Sequence, residues 1–475
     1  MTALKNLQEV GKMLEKHSQS HLLAFWDQLN PAQRQGLLEQ IQRVDWPKID
    51  GWVADFVKNP TPTRIDLNFV PAPFYPAVPS DPEQKRKCAE AARLGRELIS
   101  AGKVAAFVVA GGQGTRLGFD GPKGDFPISP IKNKTLFRIF AETIAAVSKK
   151  YSTSCRWYIM TSPLNHAETR KIFRANDYYG LDAESIFIFQ QGTLPNFSFD
   201  GKILLTDKAG ISCSPDGHGG SIKALHQSGA LEDMKKHGVE FLSYFQVDNP
   251  LVNLFDPLFI GLHALDGAEM SSKGIMKRDP KEKVGNFCLV NGRVTVIEYS
   301  DLPDELAERR TPDGLLVFQL GSIAIHIISR TFAEKLNAKG FSLPLHRAVK
   351  EIPHIDENGK PVEPDRPNGI KLESFIFDAL PPASRSVILE TIRSQEFAPT
   401  KNAAGVDSVE TTRQMMVARA ADWLRSAGVT IPEKQDGSPD CLLEIAPSFA
   451  LEKDDIKAKL NQIPKIKSKD KIYLA

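Results

Sequence analysis

The sequence predicts an α/β protein with a mixed, mainly parallel sheet that is covered by helices on both faces. Three observations indicate this class. Strand-like runs alternate with helical stretches between residues 104 and 247, a pattern typical of parallel strands joined by crossover helices. The first run, VAAFVVA at 104–110, is apolar and contains β-branched residues, as a strand buried on both faces usually does. A glycine-rich segment follows this run directly, at the edge where ligands bind in open α/β sheets.

The chain ahead of that strand is predicted to form helices and then an extended connector. Apolar residues recur at helical spacing from Leu4 to about Ile41, and Asn30-Pro31 is a typical helix start. A proline-rich stretch at 60–82 lacks backbone donors that helices and sheets use. We therefore expect it to wrap around the main domain as an extended connector, and we predict a further helix over 82–101.

Beyond the first strand, the sequence predicts strands at 157–161, 186–190 and 241–247, and helices at 166–176 and from Ser221 onward. After about Ala379 the pattern weakens, except for a helix through Trp423, and the terminal KIKSKDK run is interpreted as a solvated tail. The chain is accordingly predicted to have three domains: a helical unit with its proline-rich connector at 1–96, the large α/β domain at 97–385 and a small C-terminal domain at 386–475.

The composition excludes several classes of protein. Sixty Lys and Arg residues against 58 Asp and Glu residues leave a net charge of +2, so a protein-wide surface for nucleic acid or membrane is not expected. Five cysteines without a CxxC pair fit neither a disulfide framework nor a zinc site, which favours reduced thiols. The N-terminal segment carries charges throughout and lacks the apolar run of a signal peptide. We expect the protein to reside in the cytoplasm.

The glycine-rich segment reads GGQGTRLG at 111–118, followed by FDGPKG at 119–124. Glycines let the backbone approach a ligand closely, and exposed N–H groups can cradle phosphate oxygens. The dinucleotide fingerprint requires glycine where Leu117 stands, and a P-loop requires a Gly-Lys-Ser/Thr sequence that is absent here. The segment instead supplies two cations, Arg116 and Lys123, suited to neutralising a triphosphate whose leaving pyrophosphate gains charge.

Several longer motifs occur in order along the chain. They are WYIMTS at 157–162, FQQGTLP at 189–195, SPDGHGG at 214–220, QVDNPLV at 246–252, VIEYSD at 296–301, RPNGIKLESFIFD at 366–378 and EFAPTKNA at 396–403. Together with GGQGTRLG and PKG, they resemble the uridylyltransferases that make UDP-sugars, most closely the eukaryotic-type UDP-N-acetylglucosamine pyrophosphorylases. The resemblance covers most of the chain. It implies a Rossmann-like nucleotidyltransferase fold and catalysis within 97–385.

The resemblance also implies where UTP binds. Backbone groups of Ala110, Gly111 and Gly112 would contact UTP, while Gln191 and the backbone of Gly217 would face the uracil ring. An amide and a backbone group can match the donor and acceptor edge of uracil, which would select UTP over CTP.

The remaining implied roles concern the phosphates. Asp248 ends an apolar, strand-like run, and its carboxylate is a hard oxygen ligand of the kind that Mg²⁺ prefers. The resemblance makes Asp248 the protein's ligand to Mg²⁺ and places Lys401 on the phosphates with Arg116 and Lys123. No protein nucleophile is required, because the sugar 1-phosphate can attack the α-phosphorus of UTP directly.

The predicted sugar site contains two departures from the family pattern. The resemblance assigns to it Gly285, Glu298, Phe375 and Phe377. The N-acetylglucosamine enzymes typically have asparagine where this chain has His218 and Ser322, and a Gly-His-Gly segment is more similar to UDP-glucose pyrophosphorylases. Histidine can also change its charge near neutral pH. We therefore expect His218 and Ser322 to influence tolerance at the 2-position of the sugar.

Three functions follow from these patterns. The preferred one joins UTP to N-acetylglucosamine 1-phosphate, giving a UDP-sugar and pyrophosphate. The second is the same reaction with glucose 1-phosphate or with a broad range of sugar 1-phosphates. The third is a non-catalytic sensor that binds a UDP-sugar. The joint presence of Arg116, Lys123, Asp248 and Lys401 argues against a sensor, because binding alone would not need every group directed at phosphate and metal.

Overall fold

The computed structural model describes residues 7–60, 68–341 and 343–475. These residues fall into two compact units. Met1–Leu67, Gly192–Gly220 and Leu343–Ile376 contribute to the first, and Asn68–Gln191, Ser221–Ser342 and Phe377–Ala475 to the second. The predicted helical start at Leu4 and positions 61–67 of the predicted connector lie outside the described residues.

The described residues form the following α-helices: α1 Leu7–Lys16, α2 Pro31–Arg43, α3 Trp46–Trp52, α4 Pro82–Ser100, α5 Leu136–Tyr151, α6 His166–Ala175, α7 Gly220–Gln227, α8 Ala230–Lys236, α9 Pro257–Leu265, α10 Asp304–Ala307, α11 Arg330–Asn337, α12 Arg393–Glu396, α13 Val409–Ser426 and α14 Lys453–Lys457.

The β-strands of the same residues are β1 Phe69–Pro71, β2 Val104–Val109, β3 Trp157–Thr161, β4 Ile186–Gln190, β5 Thr193–Pro195, β6 Phe197–Ser198, β7 Leu205–Asp207, β8 Gly210–Ile211, β9 Cys213–Pro215, β10 Phe241–Gln246, β11 Met270–Met276, β12 Asn286–Val290, β13 Arg293–Ile297, β14 Leu320–Ser329, β15 His346–Lys350, β16 His354–Ile355, β17 Pro361–Val362, β18 Gly369–Glu373, β19 Ser386–Glu390, β20 Leu442–Ile445 and β21 Lys471–Leu474.

A ten-stranded mixed sheet forms the core of the second unit. One half is parallel, because β10 and β3 flank β2 and β4 follows β3, all in the same direction. Strands β2, β3 and β10 are apolar and almost wholly buried, whereas β4 is apolar but only partly buried. Their apolar runs explain why the sequence pattern predicted them correctly. The other half begins where β14 pairs antiparallel with β10. The predicted α/β class with a mixed sheet is confirmed.

The antiparallel half of the sheet extends from β14. Strand β11 pairs antiparallel with β14 and parallel with β19, while β12 pairs with β13, β14 and β1. The predicted connector is therefore wrong at Phe69–Pro71, which forms an edge strand. Proline is tolerated there because Pro71 is the last residue of a strand at the sheet edge.

Helices α4 and α9 pack with their backbones in close contact in the second unit. A Cβ atom on Gly95 would lie 1.8 Å from the Pro257 carbonyl oxygen, and one on Gly261 would lie 1.7 Å from the Ala91 carbonyl oxygen. Only glycine permits this approach. The predicted helix over 82–101 is confirmed as α4, whose first turn is capped by the Asp81 side chain.

The first unit combines its helices with short strands around a separate apolar core. Helix α2 starts as predicted, because the Asn30 side chain accepts from Gln33 N–H at 2.9 Å and the Gln33 side chain accepts from Asn30 N–H at 3.0 Å. The expected helix over the preceding apolar residues is wrong: Ser20–Leu23 and Trp26–Gln28 form two 3₁₀ turns. The same spacing also suits short turns that bury Leu22 and Phe25.

The C-terminal segment has its own apolar cluster, formed by α13, β20, α14 and β21. Ser408 caps α13 through Thr411 N–H, and β20 runs parallel to β21. The interpretation of the terminal basic run as a solvated tail is wrong in its last part, because Lys471 begins β21 and pairs with Leu442. Within the described ranges, no helix combines the length and apolar character needed to cross a bilayer.

Candidate active site

The glycine segment leaves β2 in the second unit and is fixed by Asn165. The Asn165 side chain donates to the Ala110 carbonyl oxygen at 2.9 Å and to the Gly112 carbonyl oxygen at 3.2 Å. Its own Oδ1 atom accepts from Ser162 N–H at 2.9 Å. With these carbonyl groups occupied, the shape of the loop at Gly111 is set by one buried side chain.

The segment containing Lys123 folds back on the glycine loop. Lys123 N–H donates to the Gly112 carbonyl oxygen at 3.0 Å, and Gly114 N–H donates to the Gly121 carbonyl oxygen at 2.9 Å. A Cβ atom added to Gly112 would meet no atom within 4 Å, so space is open beside this residue. The loop thus places the Lys123 backbone next to a glycine that a ligand can approach.

Gln191 lies against the same loop. Its backbone N–H donates to the Thr161 carbonyl oxygen at 2.8 Å, which continues the pairing of β3 and β4. A Cβ atom on Gly111 would lie only 2.5 Å from Gln191 Oε1. Gly111 therefore provides the room for this amide, and the predicted UTP residues Ala110, Gly111, Gly112 and Gln191 are neighbours in the second unit.

Asp248 and Lys123 form an ion pair beside these residues. Their Oδ2 and Nζ atoms are 3.6 Å apart, and their side chains are 13% and 15% exposed. Asp248 follows β10, and its carbonyl oxygen accepts from Thr400 N–H at 2.8 Å. Among the described residues, no cluster of three or more His, Cys, Asp or Glu side chains is arranged to hold a metal ion. A metal bound at Asp248 would therefore have fewer than three such side chains as ligands.

A buried network that was not predicted holds the loop after Asp248. The Asn249 side chain donates to the Glu396 carbonyl oxygen at 2.8 Å and accepts from Ala398 N–H at 3.0 Å. The Glu396 carboxylate accepts from Asn253 N–H at 3.2 Å. These bonds tie the segment that carries Asp248 to the segment that leads to Lys401.

Lys273 neutralises the negative charge of this network, and its side chain is buried, with less than 2% of its surface exposed. Its Nζ atom lies 2.5 Å from Glu396 Oε1 and 2.6 Å from Asp256 Oδ2. Burial disfavours the charged amine, but the two carboxylates raise the pKa of Lys273 above its ordinary value. The lysine is therefore charged at neutral pH and balances carboxylates that would otherwise be buried without a partner.

The other two predicted phosphate-binding cations occupy different settings. Lys401 Nζ lies 3.8 Å from Asp407 Oδ2, and the lysine side chain is 45% exposed. Arg116 is exposed within the 3₁₀ turn Thr115–Leu117. No hydrogen bond or ion pair within the described ranges joins either side chain to Asp248. The Lys401 segment nevertheless contacts Asp248 through Thr400.

Three of the predicted sugar residues meet in the antiparallel half of the second unit's sheet. Ser322 N–H donates to the Gly285 carbonyl oxygen at 2.7 Å. A Cβ atom on Gly285 would lie 3.2 Å from Glu298 Oε1. Phe377, which also belongs to this unit, lies in the 3₁₀ turn Ile376–Ala379. The structure thus groups Gly285, Glu298 and Ser322.

The remaining predicted residues, Gly217, His218 and Phe375, belong to the first unit. The rings of His218 and Phe375 stack with their centroids 5.3 Å apart, and His346 stacks on Phe375 at 4.3 Å. Gly217 has a φ of +83°, and a Cβ atom there would lie 2.3 Å from the Ser374 carbonyl oxygen. Glycine is therefore required at position 217 by backbone conformation and packing alike.

The state of His218 follows from its surroundings. Its Nδ1 atom accepts from Ile376 N–H at 3.0 Å, which leaves the ring proton on Nε2. Burial, together with the neighbouring His346, lowers the pKa of His218 to about 4. The expectation that its charge changes near neutral pH is therefore wrong: the ring is neutral there, and its Nε2–H group is a donor.

The missed residues left different signals in the sequence. Asn249 and Glu396 stand inside the quoted motifs QVDNPLV and EFAPTKNA, so the motifs contained them without indicating their role. Asn165 lies three positions after WYIMTS. Lys273 stands in the polar segment MSSKGIM of β11, which gave no signal that the lysine is buried.

Comparison with known proteins identifies the family of the chain. The family model for UTP-glucose-1-phosphate uridylyltransferase matches residues 80–475. A human protein named UDP-N-acetylhexosamine pyrophosphorylase-like protein 1 is 37% identical, over 93% of this chain and 92% of its own. The yeast UDP-N-acetylglucosamine pyrophosphorylase of Saccharomyces cerevisiae is 35% identical, over 87% of this chain and 90% of its own.

A solved structure has the same fold. The protein from Entamoeba histolytica, described as a UDP-N-acetylglucosamine pyrophosphorylase, has 32% identity and a TM-score of 0.75, with 86% of this chain and 100% of that chain covered. The resemblance inferred from the motifs is confirmed. The chain belongs to the UTP-glucose-1-phosphate uridylyltransferase family.

Proposed function

We propose that the protein transfers a uridylyl group from UTP to N-acetylglucosamine 1-phosphate, with Mg²⁺ as cofactor, in the cytoplasm. The ion pair of Lys123 with Asp248, whose lysine is also joined through its backbone to the glycine loop at Gly112, carries this proposal. It combines a cation for phosphate, a carboxylate for metal and free space at a glycine loop. The names of the human, yeast and Entamoeba relatives support the choice of substrate class.

The reaction needs positioning and charge neutralisation. An oxygen of the sugar 1-phosphate attacks the α-phosphorus of UTP, the bond from that phosphorus to the bridging oxygen breaks, and pyrophosphate leaves. Lys123 would stabilise the charge that develops on the phosphates, and the glycine loop would donate backbone N–H groups. Gln191, packed against Gly111, would hold the uracil ring.

The residues present fit a magnesium ion. Mg²⁺ often takes one or two carboxylates and completes its shell with substrate phosphates and water, so the single carboxylate of Asp248 suffices. When bound, the ion would neutralise charge on the triphosphate. Asp248 lies next to Lys123, so their mutual pairing would give way to phosphate and metal as UTP binds.

Glucose 1-phosphate is a second candidate substrate, favoured by a specific observation. His218 is neutral and accepts a hydrogen bond through Nδ1, so its ring can only donate through Nε2, whereas the asparagine that the resemblance implies at this position has both a donor and an acceptor. A site with His218 is suited to a 2-hydroxyl group, which can accept that hydrogen bond.

The experiment is release of pyrophosphate from UTP by the purified protein with N-acetylglucosamine 1-phosphate, glucose 1-phosphate and galactose 1-phosphate in parallel. We expect turnover that requires Mg²⁺ and one of the first two sugars. Tight binding of a UDP-sugar without release of pyrophosphate from any sugar phosphate would instead identify a sensor.

A further inference from the structure

A cavity of about 220 Å³ lies within the second unit and has no assigned role. Its wall is formed by α5, the loop that follows Asn249, and the C-terminal helix α13 with β20. Among its described lining residues are none of those predicted to bind UTP, magnesium or sugar. The volume is below the 300–1,000 Å³ typical of drug-sized pockets, so the cavity suits a smaller molecule.

Arg419 is one of the residues that line this cavity. Its Nη1 atom donates to the Leu251 carbonyl oxygen at 2.8 Å and to the Gln395 carbonyl oxygen at 3.3 Å. The guanidinium lies 5.2 Å from the centre of the Trp423 ring. These contacts fix the guanidinium plane and leave its Nε and Nη2 atoms with no acceptor within the described ranges. That edge is the one that binds a carboxylate or phosphate with two parallel hydrogen bonds.

The carboxylates that line the cavity already have partners. Glu142 pairs with Lys134 at 2.5 Å, and Glu452 pairs with Lys150 at 2.6 Å. Glu444 accepts from two backbone N–H groups at 2.8 Å each.

The fourth lining carboxylate, Glu396, is paired with Lys273. Arg419 has no ion pair among the described residues. Burial lowers the pKa of Arg419 to about 10, although Glu396 acts in the opposite direction, so the guanidinium is charged at neutral pH. The wall therefore includes a partly buried guanidinium that has no carboxylate within ion-pair distance among the described residues.

We propose that this cavity binds a small organic anion, whose carboxylate or phosphate pairs with the Nε and Nη2 edge of Arg419. Apolar wall residues such as Val252, Phe255 and Met416 would cover the rest of the molecule. The inference is independent of the proposed catalytic function, since it uses none of the residues assigned to UTP or sugar.

The test uses methyl phosphate and propionate, which carry the same type of anionic group on a small apolar body. Dissociation constants are measured with the full chain by the line broadening of each probe's own nuclear magnetic resonance signals. We expect saturable binding of at least one probe to the wild type. Arg419→Gln should weaken it roughly tenfold or more, because a charged hydrogen-bonded pair is lost. If Arg419→Gln does not fold, Ala420→Leu takes its place by filling the cavity while it keeps the charge.

Lys171→Ala, at a side chain that is 76% exposed, is the matched control and should bind the probe like the wild type, and Lys123→Ala tests whether a probe binds at the glycine loop instead. The inference would be overturned if neither probe binds the wild type. It would also be overturned if Arg419→Gln, or Ala420→Leu in its place, binds the probe with wild-type affinity. Loss of binding in Lys123→Ala with retention in Arg419→Gln would place the anion at the glycine loop, which overturns this inference and leaves the proposed function intact. Which probe binds distinguishes a carboxylate from a phosphate.

Discussion

At the scale of single residues, the pairing of Lys123 with Asp248 links the structure to the proposed chemistry. Both side chains are shielded from solvent, and the Lys123 backbone is hydrogen-bonded to Gly112 of the glycine loop. Where water is partly excluded, each charge interacts more strongly with phosphate or metal than it would in bulk water. Each residue can consequently be tested by removing its charge alone.

Lys123→Ala should lower kcat by roughly a hundredfold to a thousandfold, the usual loss when one preorganised group at a developing charge is removed. Steady-state pyrophosphate release measures the change, and far-ultraviolet circular dichroism monitors folding. Lys171→Ala, at a side chain that is 76% exposed, is the matched control and should be fully active. Wild-type turnover in a folded Lys123→Ala variant would remove Lys123 from the phosphate site.

Asp248→Asn should abolish or strongly weaken the response of turnover to Mg²⁺, because a neutral amide is a poor ligand for a hard cation. The measurement is a Mg²⁺ titration at fixed UTP. Asp454→Asn, at a side chain that is 68% exposed, should titrate like the wild type. A titration curve for Asp248→Asn that superimposes on the wild type would show that the metal binds elsewhere.

His218→Asn should shift the ratio of kcat/KM values toward N-acetylglucosamine 1-phosphate and away from glucose 1-phosphate by roughly tenfold, since about one hydrogen bond is exchanged. The neutral state of His218 also means that the wild-type ratio should be constant between pH 6.5 and 8.5. His226→Asn, at an exposed position, is the control. An unchanged ratio in His218→Asn would exclude this residue from sugar selection.

At the scale of elements, the loop after β10 and the segment leading to Lys401 behave as one structure. Asn249 bridges them with two side-chain hydrogen bonds, and Glu396 joins them to the buried amine of Lys273. Thr400 then contacts the backbone of Asp248. The position of Asp248 thus depends on residues that need not touch substrate.

Asn249→Ala should raise the Mg²⁺ concentration needed for half-maximal turnover by roughly tenfold, because the two lost hydrogen bonds hold the Asp248 segment in place. Asn253→Ala is closely matched: it lies on the same loop, and only its backbone N–H is used by Glu396. If Asn249→Ala is less stable but keeps the wild-type Mg²⁺ dependence, the network supports the fold without positioning Asp248.

The elements also show what could be predicted from the sequence. Strands β2, β3 and β10 were predicted because strands buried on both faces are almost continuously apolar. Strand β4 was predicted from its apolar run IFIF, although it is only partly buried. The antiparallel half was not, because strands such as β11 contain serine, lysine and glycine whose partners are distant in the chain. The helix predicted near Leu22 was wrong because short turns bury the same apolar residues that a helix with this spacing would bury.

The same distinction between local patterns and contacts with distant segments applies to the candidate site. Lys123 was proposed from its place after the glycine loop, and Asp248 from the family resemblance together with its place after a strand-like run. Asn165 and Lys273 act through hydrogen bonds and ion pairs to distant segments, which no local pattern reveals. The neutral state of His218 likewise depends on burial and on His346, and so required the structure.

At the scale of the whole molecule, a buried histidine makes stability depend on pH. His263 is fully buried and contacts the hydroxyl groups of Ser271 at 2.7 Å and Ser329 at 2.9 Å. Burial lowers its pKa to about 3. In the unfolded chain it binds a proton below about pH 6.5. As the pH falls from 6.5 toward 3, the unfolded state takes up a proton that the folded state does not, and stability declines.

His263→Gln should be less stable than the wild type at pH 7, because the ring's packing is lost, but its stability should fall less steeply between pH 6 and 4. The slope should differ by at most about 1.4 kcal/mol per pH unit, the contribution of one proton. Urea unfolding at several pH values measures the slopes, and His226→Gln at an exposed position is the control. Parallel curves for His263→Gln and the wild type would contradict this origin of the acid sensitivity.

The most direct measurement of the proposed function is the release of pyrophosphate when the purified full-length chain is mixed with UTP, Mg²⁺ and N-acetylglucosamine 1-phosphate. We expect one pyrophosphate for each UDP-sugar formed, little turnover with CTP in place of UTP, and loss of turnover in Lys123→Ala. No pyrophosphate with N-acetylglucosamine 1-phosphate or any other sugar 1-phosphate, from folded protein that still binds UTP, would contradict the assignment of this chain as a uridylyltransferase.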